Sequence, residues 1–174
     1  SRGSTKCRSC DSLGLNSVLD MGLQPIPSEY GSTPDEVIES FPLHLKICKE
    51  CSLGQLAEYV LPERIFHKNY PYLSSTSNTW LQHASDYTQK ILSFLELKPD
   101  SWVLEIASND GYLLKNFKER GIDVLGVEPA INVANIAKAR GINTISKFFG
   151  SEVANEILEK KGFYSDLPFS PSLT

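Results

Sequence analysis

The stretch that most constrains the fold is WVLEIASNDGYLLKNFKERGIDVLGVEP, residues 102–129. It begins with a short apolar run that ends at Ile106, as is typical of a buried parallel strand, and a polar turn from Ser108 to Gly111 follows. Apolar residues then recur at helical spacing, and a second short apolar run ends just before Glu128. Because the order is strand, turn, helix, strand, the sequence predicts an α/β fold built on a parallel sheet.

The carboxyl ends of the two predicted strands are where an open α/β sheet binds ligands. Gly111 would let the backbone approach a ligand closely, and Glu128 could accept hydrogen bonds from both hydroxyls of a ribose. Glu128 follows Gly111 by 17 residues, close to the spacing of a ribose-binding acid. With one glycine only, the loop is poorly suited to a dinucleotide's pyrophosphate. The alternative is a plain β–α–β unit whose Glu128 is exposed to solvent.

The four cysteines form two C-x-x-C pairs, Cys7 with Cys10 and Cys48 with Cys51. Two such pairs can place four thiolates tetrahedrally around one Zn²⁺, and this leaves no open position for catalysis. Two disulfides are one alternative, which the absence of a secretion signal disfavours. A redox site is another, but it would need only one pair. We therefore expect a structural zinc site, because a β-rich module with a small core needs a metal or a similar cross-link to be stable.

Composition excludes several classes of partner. The net charge is −4 and no long run of Lys or Arg exists, which argues against nucleic acid. No apolar stretch has the length of a transmembrane helix, and no signal-peptide core is found, so we expect a cytoplasmic protein without a membrane partner. The chain divides into a small β-rich zinc-binding module (5–65), a linker and helix (66–100), a partial Rossmann-like domain (101–162) and a tail (163–174).

Taken together, the motifs resemble the zinc-containing, S-adenosylmethionine-dependent sugar C-methyltransferase family, whose members act on nucleotide-activated deoxysugars. The resemblance rests on the paired C-x-x-C knuckles, the segment Phe66–Tyr72 with two serines after it, the loop Glu105–Gly111, and Val127–Pro129. It covers the chain from about Cys7 to Lys161. It implies a zinc-binding module followed by the first half of a class I methyltransferase domain of Rossmann-like, three-layer type.

The resemblance also implies a set of site residues. The four cysteines would bind Zn²⁺, Glu128 would hold the ribose of S-adenosylmethionine, and Tyr70 would face the reacting centre. Asn109, Asp110 and Gly111 would wrap the methionine end of the cofactor, and Phe148 would lie near the adenine. The family has glycine where this chain has Ala107, which would crowd the loop if that position needs a positive φ. The cofactor-binding residues expected on this basis are Glu105, Ala107, Asn109, Asp110, Gly111, Glu128, Pro129 and Phe148.

Members of the family continue well beyond these elements, with further strands, a His/Tyr pair that handles the substrate proton, and a C-terminal sugar-nucleotide domain. C-methylation needs a base within hydrogen-bond reach, and only Tyr70 or a scattered histidine remains for that role. Two interpretations stay open. The chain is an incomplete C-methyltransferase that is inactive alone, or it is a zinc-containing cofactor-binding or interaction module without turnover. In either case, the aromatic tail at 163–173 or a homodimer partner is expected to cover the free edge of the first strand.

Overall fold

The computed structural model describes residues 2–27 and 29–161. The chain separates into two compact units, Ser1–Pro71 and a second unit that begins at Tyr72. The first unit is rich in strands and holds the cysteines, whereas strands and helices alternate in the second. The prediction of a mixed α/β protein with a cysteine cluster near its N-terminus is therefore confirmed.

Antiparallel pairing builds the first unit. Its main sheet has the order β2-β3-β4, and β1 pairs separately with β5. The long β2–β3 hairpin sets Leu15 opposite Cys48, so the turn that holds Cys7 and Cys10 and the end of β3 meet at one end of the hairpin. The elements are β1 (Arg2–Gly3), β2 (Leu15–Pro25), β3 (Ser40–Cys48), β4 (Gly54–Leu56), β5 (Glu58–Tyr59) and α1 (Pro62–Ile65).

The hydrophobic core of the first unit is small. Among its described residues, the fully buried apolar or sulfur-bearing side chains are those of Cys7, Ile26 and Cys48. Two of these three carry thiols of the predicted metal site, so the centre of this unit is the cysteine cluster itself. A core this small does not stabilise about seventy residues without a further constraint.

The second unit contains a parallel sheet of order β6-β7-β8 with helices on both faces. Alternate residues of β7 face opposite sides: Val124 packs with residues of α3 and α4, and Val127 packs against α5. The elements are a 3₁₀ turn (Ser74–Thr76), α2 (Asn78–Phe94), β6 (Trp102–Ile106), α3 (Leu114–Lys118), β7 (Asp123–Val127), α4 (Ile131–Ala139), β8 (Thr144–Ile145) and α5 (Ser151–Lys161).

Two glycines shape the carboxyl end of this sheet. A Cβ on Gly126 would clash with Oγ of Ser108, so only glycine lets the loop after β6 cross β7 here. Gly111 has a φ of +78°, and a Cβ there would lie 2.9 Å from the side chain of Ile142. Both close approaches hold the loop tightly over the strand ends.

The apolar residues after α4 predict a third strand at about Asn143–Phe148, and the structure gives a shorter one. The third strand is short, Thr144–Ile145, because β7 ends at Val127 and offers nothing further to pair with. β6 is an edge strand, since no strand among residues 2–27 and 29–161 pairs along its other side. The tail expected to cover that edge, residues 163–173, lies outside the described residues. Homodimerisation through the edge remains a prediction. Within the same described ranges, no helix has the length and apolar character needed to span a bilayer.

Candidate functional site

The four cysteine sulfurs lie together in the first unit, all within 4.8 Å of one another. Cys7 Sγ is 3.5 Å from Cys51 Sγ, and Cys10 Sγ is 3.6 Å from Cys48 Sγ. Sulfurs placed tetrahedrally at about 2.3 Å from Zn²⁺ would be separated by about 3.8 Å. The four thiols are free, so the disulfide alternative is wrong. The donor set and its spacing fit one zinc ion.

The backbone of each knuckle favours thiolate at its first cysteine. The N–H groups of Cys10 and Ser9 lower the pKa of the Cys7 thiol, and the N–H of Cys51 is the main cause that brings the pKa of Cys48 down to about 6. The Ser12 N–H also lowers the pKa of Cys10, but the neighbouring thiols and burial outweigh it and raise that pKa to about 12. Four sulfurs this close need a cation to ionise together, as Zn²⁺ would provide.

In the second unit, the loop after β6 lies across the end of β7. The N–H groups of Ala107 and Ser108 both donate to the carbonyl of Val127, at 2.8 and 3.2 Å. The loop takes positive φ angles at Ala107 (60°), Asn109 (48°) and Gly111 (78°). Asparagine and glycine accept this conformation, whereas alanine is strained in it by about 1–2 kcal/mol. The position where the family has glycine therefore does require a positive φ.

We expect Ala107→Gly to raise the free energy of unfolding by about 0.5–1 kcal/mol, because relief of the strained φ exceeds the added entropy of the unfolded chain. Chemical denaturation measures the change. The matched control is Ala139→Gly at the exposed end of α4, where glycine should lower the free energy of unfolding by about 0.5–1 kcal/mol. Equal losses of stability in the two variants would contradict the assignment of strain.

Glu128 connects the loop to the turn after β7. Its side chain is 4% exposed, so the alternative of a solvent-exposed Glu128 is wrong. Oε2 accepts the N–H of Asn109 at 3.0 Å, and Oε1 accepts the N–H of Ala130 at 2.8 Å. A carboxylate oxygen has two lone pairs, so each oxygen can still accept a hydroxyl. The acid is fixed in place by the backbone.

The loop is also held by the 3₁₀ turn and by the backbone just before it. The N–H of Ser74 donates to Oδ1 of Asn109 at 2.8 Å, and Nδ2 of Asn109 donates to the carbonyl of Tyr72 at 3.3 Å. Oδ2 of the fully buried Asp110 accepts the hydroxyl of Ser75 and pairs with Arg140 at 2.9 Å. The serine pair that contributed to the family resemblance therefore contacts the loop directly.

The electrostatics of this edge favour a ligand with positive charge. Burial, with Asp110 and Glu128 nearby, raises the pKa of Glu105 to about 8. Among the described residues, Oε2 of Glu105, Oδ1 of Asp110 and Oγ of Ser108 are buried without a hydrogen-bond partner. Buried polar atoms of this kind usually have a partner in folded proteins, so these three are candidates to bind water or a ligand. An ammonium group, as at the methionine end of S-adenosylmethionine, suits them.

The predicted site residues fall into two groups. Glu105, Asn109, Asp110, Gly111 and Glu128 share the carboxyl edge of β6 and β7 through the contacts above. Tyr70 belongs to the first unit, where its ring centroid lies 5.3 Å from that of Phe66, so its catalytic role remains a prediction. Pro129 is partly buried after β7, and Phe148 is 38% exposed beyond β8; their contacts with a cofactor also remain predictions.

Sequence reasoning missed Ser108, Ser75 as a loop contact, and Arg140. Both serines lie in or next to motifs of the sequence analysis, Ser108 in the loop after the first strand and Ser75 just after the segment Phe66–Tyr72. Their position beside these motifs could have indicated a role in the site. Arg140 lies 30 residues from Asp110 in sequence. No local pattern connects two residues so far apart, and only the fold shows that they pair.

Comparison with known proteins agrees with the motifs. Residues 7–66 match the family model Methyltransf_13, described as "Putative zinc binding domain". The chain is 31% identical over 159 residues, 90% of its length, to the C-methyltransferase NovU of Streptomyces niveus. It spans 38% of the length of that relative. The resemblance to zinc-containing C-methyltransferases is confirmed by these matches, and zinc binding is supported by the family model and the cysteine cluster together.

Proposed function

We propose that this chain is the S-adenosylmethionine-binding part of a C-methyltransferase, preceded by a structural zinc module. The observation that carries the proposal is the buried Glu128, whose two oxygens hold the loop after β6 and the turn after β7 by backbone N–H groups. This places an acid at the carboxyl ends of adjacent parallel strands, where α/β sheets bind ligands. The relative is named a C-methyltransferase, which agrees with a methyl donor as that ligand.

Each part of the cofactor has a proposed partner. Glu128 accepts the ribose hydroxyls, and the loop from Ala107 to Gly111 covers the methionine end. The unpartnered oxygens of Glu105 and Asp110 accept the ammonium hydrogens. Phe148 and Pro129 flank the adenine. What the bound cofactor supplies is a methyl group on a positively charged sulfur, and the residues named here bind and orient it.

The acceptor we propose is a carbon atom of a nucleotide-activated deoxysugar, as the family resemblance implies. Methylation at carbon requires a base that removes a proton from that atom. Tyr70 is the residue of this chain that we propose to face the reacting centre. The alternative is a zinc-containing module that binds the cofactor, or another protein, without turnover. Both interpretations expect no methyl transfer by this chain alone, so methyl transfer is the result that would exclude the alternative.

Cofactor affinity is expected to rise with pH. Because its pKa is raised to about 8, Glu105 is mostly protonated at neutral pH. A cationic ligand favours the ionised carboxylate, so binding releases a proton. The association constant should therefore increase from pH 6 to about pH 8, by up to about tenfold per pH unit, and level off above. Calorimetry with S-adenosylhomocysteine, which keeps the ammonium group, tests this in buffers of different ionisation enthalpy.

Glu105→Gln is the matched variant, because glutamine keeps the shape and cannot ionise. Its affinity should be independent of pH between 6 and 8, with no proton released. The stability of the chain without ligand also depends on pH through Glu105. Between its ordinary pKa of 4.5 and the raised pKa of about 8, Glu105 is protonated in the folded chain and ionised in the unfolded chain. The free energy of unfolding therefore falls as the pH rises through this range, and in Glu105→Gln this fall should be absent. An unchanged pH profile in the variant would refute this role of Glu105.

A further inference from the structure

Arg140, at the C-terminal end of α4, makes one ion pair and two hydrogen bonds with the loop after β6 and with the 3₁₀ turn. Its Nη1 forms an ion pair with Oδ2 of Asp110 at 2.9 Å and donates to the backbone carbonyl of Asp110 at 3.0 Å. Its Nη2 donates to Oγ of Ser75 at 3.1 Å, and the hydroxyl of Ser75 in turn donates to the same Oδ2. One planar guanidinium therefore fixes the backbone and the side chain of Asp110 as well as the segment before α2.

Charge and burial make this contact important. The side chain of Asp110 is 0% exposed, and that of Arg140 is 41% exposed. Within the described part of the chain, Arg140 is the one cation in an ion pair with Asp110. The other charged groups at this edge, Glu105 and Glu128, are acids whose interaction with each other and with Asp110 is unfavourable when all are ionised. Arg140 therefore balances a concentration of negative charge that burial would otherwise disfavour.

The two oxygens of Asp110 are treated differently. Oδ2 pairs with the Arg140 guanidinium and accepts the hydroxyl of Ser75, while Oδ1 is buried and has no partner in the described structure. A carboxylate that is held through one oxygen keeps its orientation, and its second oxygen can accept a hydrogen bond from another donor. We propose that Arg140, with Ser75, is a positioning residue that holds Asp110 so that Oδ1 accepts a donor group of the ligand. The inference rests on the proposed cofactor site and adds to it a residue outside the loop.

Arginine is suited to this task in a way that lysine is not. Its donors are arranged in a rigid fork, so Nη1 and Nη2 can reach acceptors on two different segments at once. A lysine ammonium keeps the charge but is a single point on a flexible stem. Arg140→Lys therefore separates geometry from charge, and Arg140→Gln removes the charge. The matched control is Arg120→Lys, because the Arg120 side chain is exposed and, among the hydrogen bonds described, donates only to the carbonyl of Asn116 in α3.

Hydrogen exchange tests the positioning without any ligand. The N–H of Asn109 is bonded to Glu128 and should be protected in the wild-type chain. In Arg140→Lys its exchange should be at least about tenfold faster, while Arg120→Lys should match the wild type. Thermal unfolding of each variant checks that the second unit is still folded. If Arg140→Lys protects Asn109 as well as the wild type does, the proposal is overturned.

Titration with S-adenosylhomocysteine from pH 6 to pH 9 tests the link to the ligand. Arg140→Lys should bind about ten- to a hundred-fold more weakly at every pH, the cost of a lost charge-assisted contact. Arg140→Gln should also move the rise in affinity to higher pH. Without the positive charge of Arg140, the negative charge of Asp110 makes Glu105 harder to ionise. A purely structural role would not move the pH profile. Should Arg140→Gln fail to fold, Ser75→Ala is the second variant, expected to bind about three- to tenfold more weakly.

The outcomes distinguish this inference from the proposed function. No binding by the wild-type chain at any pH would contradict the proposed function, and the exchange experiment would still decide whether Arg140 positions the loop. The wild-type chain and the variants Arg140→Lys, Arg140→Gln and Ser75→Ala could all bind the ligand with the same affinity. That result would support the proposed function and refute the role of Arg140.

Discussion

Cys48→Ser is expected to unfold the first unit and to abolish stoichiometric zinc binding. Cys48 is 1% exposed, and its thiol lies among the three other sulfurs of the cluster. The core around it is small, so the metal supplies much of the free energy of folding. Structural zinc sites contribute on the order of 10 kcal/mol to the folding of small modules. Three remaining thiols would bind zinc too weakly to offset the entropy of ordering the chain.

Elemental analysis and limited proteolysis measure the two effects together. Wild-type protein purified without chelator should contain about one zinc per chain. The variant should contain almost none and be cleaved throughout the first unit, while the second unit resists. Ser9→Ala is the control: Ser9 contributes its backbone N–H to Cys7, which alanine retains, so zinc content should not change. Wild-type protein without zinc but with a protease-resistant first unit would refute the metal assignment.

Glu128→Ala is expected to have the largest effect on cofactor affinity. The substitution removes the proposed ribose acceptor, and a lost charge-assisted hydrogen bond weakens binding by about ten- to a hundred-fold. It also leaves the N–H groups of Asn109 and Ala130 without their acceptor, at about 1–3 kcal/mol each if water does not replace it. We therefore expect weaker binding and a lower melting temperature together.

Two further variants separate these effects. Glu159→Ala, at an exposed position of α5, should change neither affinity nor stability. Glu128→Gln keeps one oxygen for a backbone N–H but sets an amide donor against the other, so it should resemble Glu128→Ala in binding and lose less stability. Calorimetry with S-adenosylhomocysteine gives the affinities. An affinity for Glu128→Ala equal to that of the wild type would count against the proposed site.

Local patterns in the sequence were enough to predict the strands around the site. The apolar runs that end at Ile106 and Val127 gave β6 and β7, because buried parallel strands need uninterrupted apolar residues. The helix expected within residues 66–100 is α2, and the Ser77 side chain caps its first turn by accepting the N–H of Trp80. The third strand was predicted too long, because its length depends on where β7 ends and not on its own residues.

The contacts that organise the site depend on the fold and were less predictable. Spacing placed Glu128 at the right strand end, but it gave no sign that backbone N–H groups hold both of its oxygens. The Asp110–Arg140 pair joins residues separated by two helices and a strand, which no periodicity reveals. The cysteines were predictable as a set because C-x-x-C knuckles are local. That Cys7 lies nearest Cys51, and Cys10 near Cys48, depends on the β2–β3 hairpin.

The central claim is that S-adenosylmethionine binds at the carboxyl ends of β6 and β7. A crystal structure of the zinc-loaded chain with S-adenosylhomocysteine tests it most directly. The account predicts both ribose hydroxyls on the oxygens of Glu128, and the ammonium group within hydrogen-bond distance of Glu105 or Asp110. Electron density for the ligand at another place, or none at saturating concentration while Glu128 keeps both backbone bonds, would contradict it.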